Sequence, residues 1–298
     1  MQIAVTIFLD GLVTASYLFI VAVGLTMVFG VMKILNVAHG ALYASGAYGA
    51  AYLIQNAARL GYPDWVGFIL IPIAAVVAGS LIGFVLERGI LKRLYGQDEV
   101  TVLLATFALF LVLEDTLHII FGTQAYQAYQ PMLYLGDVKV AGVHRDLFSG
   151  LLIVAAASLA IIGWGILRFT RHGRLVKAVV FDREVSEAMG TKVGKIFTRT
   201  FVIGCILGAF GGACVAPLIS VTPGISVEII AISFAVVAIG GMGSIPGAVL
   251  GALAVGFTKA AAVHLFPQGE LFVVYAVMVL VLSIKPEGIF SLVAARRI

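Results

Sequence analysis

Charged side chains are scarce in this sequence. Asp, Glu, Lys and Arg make up 11% of its 298 residues, whereas a soluble globular protein carries about 25%. Hydrophobic residues account for 61%, and the mean hydropathy is +1.11. Such a composition cannot cover the surface of a water-soluble globule of this size. The sequence therefore predicts an integral membrane protein.

Residues that carry out catalysis are also few or isolated. The two cysteines, Cys205 and Cys214, share one apolar run, and a helix would hold them roughly 13 Å apart, too far for a disulfide. Five histidines are scattered over separate segments, with no metal-ligand spacing, no His-Glu-x-x-His motif and no Ser/His/Asp arrangement. The sequence predicts neither an enzyme nor a bound metal or cofactor.

The sequence also lacks a nucleotide-binding motif. The glycine-rich stretch GGMGSIPG has no following Lys and no preceding strand, both of which a phosphate-binding loop requires. If the protein uses ATP, another subunit must hydrolyse it. The net charge of +4 comes from Lys and Arg in loops between apolar runs, which is typical of membrane orientation and predicts no nucleic-acid partner.

Long apolar runs dominate the chain instead. A spanning helix needs about 20 mainly apolar residues. The sequence predicts an all-α polytopic membrane protein, a single transmembrane domain over 1–298 with eight or nine transmembrane helices. The candidate spans are 5–32, 38–58, 65–87, 100–121, 147–168 and 199–222, an uncharged run over 229–258 that GGMGSIPG interrupts, and 271–284.

The placement of Lys and Arg predicts the orientation, because cytoplasmic loops are enriched in both. Eight of the 19 basic residues lie between Arg168 and Arg199, so this loop is predicted to be cytoplasmic. Nine crossings place 15 basic residues inside, with the N-terminus outside and the C-terminus cytoplasmic. Eight crossings, with the first half of 229–258 dipping into the membrane, would put the basic tail outside. Nine crossings leave four basic residues outside, namely Arg59, Lys139, Arg145 and Lys259.

Polar groups within the spans are candidates for a translocation path. An ionisable group in a span must face the bundle interior or water, and Glu114 lies about two-thirds along its span. An interfacial carboxylate is the alternative for Glu114, and capping of the second helix is the alternative for Asn36 and His39. Ser45 and Tyr48 follow along the second span.

Glycines in the spans have two interpretations. Gly204, Gly208 and Gly212 are spaced four apart, which favours close helix packing. Gly241 and Gly243 in GGMGSIPG break the helical pattern. They are predicted either to line a wet cavity at membrane depth or to form a simple cytoplasmic turn.

The stretch GRLVKAVVFDREVSEAMGTKVGK, residues 173–195, is highly polar for this chain. Asp182 is a favourable N-cap and Gly190 a favourable C′ residue for a helix of about two turns. A helix this short is unstable alone, so we expect it to dock on a cytoplasmic protein. A solvated loop that only enforces the orientation is the alternative. The charged residues that surround this helix are Arg174, Lys177, Arg183, Glu184 and Glu187.

Three stretches together resemble the signature sequences of the branched-chain amino acid ABC-transporter permeases. They are GLTMVFGVMKILNVAHGALYASGAYGAAYL, GRLVKAVVFDREVSEAMGTKVGKIFTRTFVIG and FAVVAIGGMGSIPGAVLGA. The resemblance implies a subunit of the bacterial inner membrane with a second, often non-identical, permease. It also implies two cytoplasmic ATPase subunits that bind ATP and Mg and a periplasmic solute-binding protein. The family's coupling role then falls within the loop 169–198, on Asp182, Arg183, Glu184, Ala188 and Gly190.

The same resemblance sets the expected function. We expect ATP-driven import of a small polar solute by alternating access, most simply of branched-chain or related amino acids, with loop 122–147 docking the solute-binding protein. Urea, amides or small organic acids are alternative solutes. An ATP-independent secondary transporter would need a charged site at the bilayer midplane, and a channel would need a polar filter; the sequence offers little for either.

Overall fold

The computed structural model describes residues 2–140 and 142–290, and this part of the chain is almost entirely helical. A short helical turn at Asp64–Val66 precedes α3, a π-helical turn at Glu87–Leu91 follows it, and a further turn at Pro267–Gly269 precedes α13. The helices are α1 (Gln2–Met32), α2 (His39–Arg59), α3 (Gly67–Leu86), α4 (Lys92–Leu94), α5 (Glu99–Phe121), α6 (Gln130–Leu135), α7 (Leu147–Phe169), α8 (Arg171–Phe181), α9 (Arg183–Ala188), α10 (Val193–Val215), α11 (Ile225–Gly240), α12 (Ile245–Leu265) and α13 (Glu270–Ile284).

Within residues 2–140 and 142–290, six helical segments are long and apolar enough to cross a membrane; they contain α1, α3, α5, α7, α10 and α12. Helix α2 has spanning length, 21 residues, but its Gly, Ala, Tyr and polar residues make it less apolar. Helices α11 and α13 are apolar but shorter, with 16 and 15 residues. The chain is thus a multi-pass membrane protein.

The single β-hairpin of the described residues lies between α6 and α7. Strand β1 (Asp137–Val140) pairs antiparallel with β2 (Val143–Asp146). Arg145 of β2 forms an ion pair of 2.5 Å with Asp10 near the start of α1. Asp10 also lies 2.7 Å from Nε2 of His264 at the end of α12. We call this side of the bundle the hairpin end.

Contacts between loops show that the loops lie at two opposite ends of the helix bundle. At the hairpin end, Gln55 of α2 donates to the carbonyl of Gln127, and Val221 after α10 pairs with Tyr126. At the other end, which we call the basic end, the backbone N–H of Ile289 after α13 donates to the carbonyl of Ile239 at the end of α11. Helices α1, α2, α3, α5, α7, α10, α11, α12 and α13 therefore run alternately between the two ends.

The boundaries of one predicted span change the path of the chain. The predicted span 199–222 is instead α10, which begins at Val193 and ends at Val215, and residues 216–224 are not helical. The chain leaves the helix here because Pro217 and Pro223 cannot continue it, and Gly224 has φ of 87°. Val221 then pairs with the loop after α5.

The GGMGSIPG stretch forms the turn between α11 and α12 at the basic end. Gly241 and Gly243 have φ of 103° and 88°, which glycine adopts readily. Ser244 caps α12 by accepting a hydrogen bond of 3.1 Å from the N–H of Gly247. Gly243 packs against Gly30 near the end of α1. Of the two interpretations of Gly241 and Gly243, a cavity lining or a turn, the structure shows a turn between two helices.

Helix packing is closest where glycines face a neighbouring backbone. Gly204, Gly208 and Gly212 form one stripe on α10, which we call the glycine seam. A Cβ at Gly204 would overlap Gly24 and Val28 of α1, and one at Gly212 would overlap the carbonyl of Tyr43 of α2. The prediction of close packing is confirmed. Cys205 and Cys214 are buried in the same helix and are not disulfide-bonded.

We expect Gly212→Ala to destabilise the fold, because the added methyl group would meet the Tyr43 carbonyl and force two backbones apart. The free energy of unfolding should fall by about 1–3 kcal/mol, the usual cost of overpacking. Thermal unfolding of the purified protein in detergent measures the change. Gly165→Ala on α7 is the matched control, since its Cβ would meet nothing within 4 Å. Equal unfolding temperatures for the two variants would contradict the role of the seam.

Candidate functional site

The polar segment between α7 and α10 folds as two short helices. Thr170 caps α8 by accepting a hydrogen bond of 3.0 Å from the N–H of Gly173, and this glycine packs directly against the last turn of α7. Val176 and Val179 of α8 are buried. Helix α8 is therefore fixed to the bundle along one side.

Helix α9 has the predicted ends. Asp182 accepts a hydrogen bond of 3.0 Å from the N–H of Val185, and Gly190 has φ of 81°. The N–H of Gly190 donates to the carbonyl of Glu187 at 2.9 Å, and the N–H of Thr191 to that of Ser186 at 3.0 Å. The N-cap and the C-terminal glycine predicted from the sequence are confirmed.

The apolar side chains around α9 are not covered by any described residue. Phe181 is 89% exposed and Met189 81% exposed, and Val185 and Ala188 are exposed beside them. We call these four residues the α9 patch. Six residues cannot hold a helix without packing, and within the described part of the chain nothing covers this apolar side of α9. The predicted charged residues lie exposed on the same segment, and they are Arg174, Lys177, Arg183, Glu184 and Glu187.

A buried carboxylate ties this segment to the bundle. Glu87 in the π-helical turn after α3 is fully buried. It accepts a hydrogen bond of 3.0 Å from the hydroxyl of Tyr95 and one of 2.8 Å from the hydroxyl of Thr198 on α10. Burial and the neighbouring Glu87 raise the pKa of Tyr95, so its hydroxyl stays protonated and donates. Phe197 packs edge-on against Tyr95, and the Arg183 guanidinium lies 5.4 Å from the Phe197 ring.

Sequence reasoning missed Glu87, although one signal was present. It is an acidic residue at the last position of the predicted span 65–87, where an unpaired charge is costly. Its partners come from distant parts of the chain. Their identity could not be predicted from local patterns.

A second polar group lies near the hairpin end, between α2, α5 and α11. Glu114 of α5 accepts a hydrogen bond from the hydroxyl of Ser226, the second residue of α11. The Nε2 of His118 lies 3.7 Å from the other carboxylate oxygen of Glu114. Four aromatic rings of α2, α5 and the following loop pack against one another at the same end of the bundle, with centroids 5.3–6.5 Å apart. We call the whole set the hairpin-end cluster, and its members are Tyr48, Tyr52, Glu114, His118, Phe121, Tyr126 and Ser226.

The cluster joins two of the predicted path residues, Tyr48 and Glu114, but not the others. Ser45 donates to the Ala41 carbonyl of its own helix at 2.6 Å, and Gly241 and Gly243 lie in the turn at the basic end. Ser226 was missed, because a serine two residues after a glycine gives no signal of its own.

Asn36 and His39 lie at the start of α2, towards the basic end. Neither side chain caps α2, whose N-cap residue is Ala38. The Nε2 of fully buried His39 instead donates to the carbonyl of Val21 at 3.0 Å, tying α2 to α1. The amide of Asn36 has no hydrogen-bond partner among the described residues.

The chain was also compared with known proteins. The family model for the permease component of branched-chain amino acid transport systems matches residues 7–282. The chain belongs to this family. LivH of Escherichia coli K12, a high-affinity branched-chain amino acid transport system permease protein, is 26% identical over 294 residues, covering 95% of this chain and 94% of LivH.

Two further similarities extend over nearly the whole permease. BraD of Pseudomonas aeruginosa, also a high-affinity branched-chain amino acid transport system permease protein, is 28% identical over 290 residues, 95% of this chain and 94% of BraD. The solved structure of PsaBC from Streptococcus pneumoniae in complex with Fab covers 93% of this chain and 91% of that chain, with a TM-score of 0.49 and 15% identity. The relatives by sequence are transport subunits rather than enzymes.

Within this permease, we expect the hydroxyl of Thr198 to stabilise the buried Glu87 carboxylate. Thr198→Val removes one of the two donors to its Oε1 and should lower the free energy of unfolding by about 1.5–3 kcal/mol, the usual contribution of a hydrogen bond to a charged group. Thermal unfolding in detergent measures the change.

Thr116→Val is the matched control, because the Thr116 hydroxyl is exposed and bonds only to its own helix, at the Val112 carbonyl. It should change stability by no more than about 0.5 kcal/mol. If the two valine variants unfold alike, Thr198 does not support Glu87.

Proposed function

We propose that this chain is one permease subunit of an ATP-driven importer that carries branched-chain or related amino acids across the bacterial inner membrane by alternating access. Membership of the permease family supports transport. The observation that carries the ATP-driven part is the α9 patch, a capped helix that exposes its apolar side at the basic end.

The proposed topology has nine crossings, with the N-terminus outside and the C-terminus cytoplasmic. The alternation of nine helices between two ends supports it. Of the 17 basic residues in the described part of the chain, only Arg59, Lys139, Arg145 and Lys259 lie on the hairpin side. By the positive-inside rule the basic end is then cytoplasmic, and the α9 patch faces the cytoplasm.

Three kinds of partner complete the proposed importer. Two cytoplasmic ATPase subunits, which bind ATP and Mg, each bind the α9 patch of one permease subunit. A second permease subunit covers the outer faces of α5 and α7, most of whose residues are exposed in the single chain. A periplasmic solute-binding protein docks on the hairpin end. The hairpin offers it a fixed surface, because Arg145 is held by Asp10.

In the proposed cycle, ATP binding moves the ATPase subunits and the α9 segments held by them. The motion reaches the bundle through two connections. Arg183 packs on Phe197 of α10, and Glu87 joins the end of α3 to Thr198 of α10. Helix α10 extends from there to Val215. Displacement of α9 is therefore transmitted along a helix that reaches towards the hairpin end.

We expect the permease to co-purify with an ATPase when it is expressed together with its neighbouring genes. Reconstituted liposomes that also receive the solute-binding protein should accumulate radiolabelled leucine only with ATP. Omission of ATP and a non-hydrolysable ATP analogue are the controls. Uptake that proceeds without ATP, or purification without an ATPase, would overturn the importer proposal in favour of a secondary transporter or channel.

Disruption of α9 should uncouple ATP hydrolysis from uptake. Proline fixes φ near −65°, whereas Gly190 has φ of 81° and donates its N–H. We expect Glu184→Lys with Gly190→Pro to leave the membrane helices folded and to abolish uptake. Uptake and ATPase rates in the same liposomes measure coupling.

Met189→Asp tests the same surface without changing the backbone, because Met189 is almost fully exposed. It should reduce uptake at least about tenfold, since a charge in an apolar interface is costly. Met189→Leu keeps the patch apolar and serves as the matched control. Normal coupled uptake by Met189→Asp and by the double variant would refute docking at α9.

A further inference from the structure

The Glu114 carboxylate lies at membrane depth without a strong counter-charge. It sits seven residues before the end of α5 and its side chain is 14% exposed. Within the described ranges, no Lys or Arg pairs with it. Its neighbours are the Ser226 hydroxyl and His118, which carries a charge only when protonated. A carboxylate in this position costs free energy unless a cation or a water molecule pairs with it.

The aromatic members of the cluster supply a surface that suits a cation with an apolar side chain. Tyr48 stacks on Phe121 at 5.3 Å, and Tyr126 packs edge-on against both. Aromatic faces attract ammonium groups and bury aliphatic ones. Tyr48 is 2% exposed, yet its hydroxyl has no hydrogen-bond partner in the described part of the chain. A hydroxyl buried this deeply needs a polar partner that the described residues do not supply, such as a water molecule or a polar group of a ligand.

The cluster is reachable from outside the chain. Tyr52 is 47% exposed, and Asp115 next to Glu114 is exposed. Asp115 shares the outward side of α5 with Val112 and Ile119, which are also exposed. A charged residue on such a face does not face lipid. This side of α5 therefore borders a polar space or a second subunit, as a translocation path requires.

We propose that the hairpin-end cluster binds the solute's ammonium group on Glu114, with the solute's aliphatic side chain against the rings and the Tyr48 hydroxyl donating to its carboxylate. The site then favours zwitterionic amino acids over urea, amides and organic acids that lack an ammonium group. This inference rests on the proposed function and names the solute class of the same path.

A purely structural role for Glu114 predicts a different result. The Glu114–Ser226 bond joins α5 to α11, and glutamine can still accept it. Glu114→Gln therefore removes the charge while keeping the shape and this bond. Its unfolding temperature should match that of the parent, so a change in solute selection would come from the charge.

The first test compares uptake of leucine with uptake of its 2-hydroxy analogue, which lacks the ammonium group. Both are measured in liposomes that hold the complete transporter and the same solute-binding protein. Glu114→Gln should reduce the preference for leucine by roughly tenfold, the effect of one charge-assisted hydrogen bond. Glu114→Asp should restore part of it, and Asp64→Asn, which neutralises an exposed carboxylate outside the cluster, is the control. An unchanged preference in Glu114→Gln would overturn the proposal.

A second test does not depend on uptake. Tyr52→Cys places a thiol at the exposed edge of the cluster, and the native Cys205 and Cys214 are buried. A cationic thiosulfonate should modify this thiol faster than an anionic one, and millimolar leucine should slow both. Adding Glu114→Gln should remove the rate difference and the protection by leucine. Equal rates with and without Glu114 would refute the site, whereas ATP-independent uptake by the parent would refute only the importer proposal.

Discussion

The glycine seam on α10 is the contact on which the rest of the structure depends. Without side chains at Gly204, Gly208 and Gly212, this helix lies backbone to backbone against α1 and α2. Lipid tails are as apolar as leucine, so close packing rather than hydrophobic burial drives association of helices in a membrane. The seam supplies that packing at the centre of the bundle. On another face of α10, Cys205 and Ile206 pack against Gly79 and Gly83 of α3.

Because α10 is held this closely, it connects the two polar regions of the permease. Its first turns carry Phe197 and Thr198, which contact Arg183 of the α9 segment and the buried Glu87. Beyond its other end, Val221 pairs with Tyr126 of the hairpin-end cluster, and Ser226 bonds Glu114. A rigid helix with a contact at each end transmits displacement better than a chain of loops does.

Local features of this fold could be predicted from the sequence, and long-range partners could not. Asp182 and Gly190 define α9 because capping depends on residues within one or two turns. The bonds from Thr198 to Glu87 and from Ser226 to Glu114 join residues 111 and 112 positions apart. No periodicity encodes such pairs. Asn36 and His39 show the opposite error, since a local capping pattern was overridden when His39 bonded to α1.

The two carboxylates at the predicted spans, Glu87 and Glu114, have different surroundings. Glu87 is fully buried, and its Oε1 receives two hydroxyl donors while its Oε2 has no hydrogen-bond partner among the described residues. The surrounding helices shield this carboxylate, so its role is to hold three segments together. Glu114 has one hydroxyl donor, and its side chain is 14% exposed. A carboxylate within a span is costly in either place, so access from outside the chain is what separates a structural carboxylate from one that is available to a ligand.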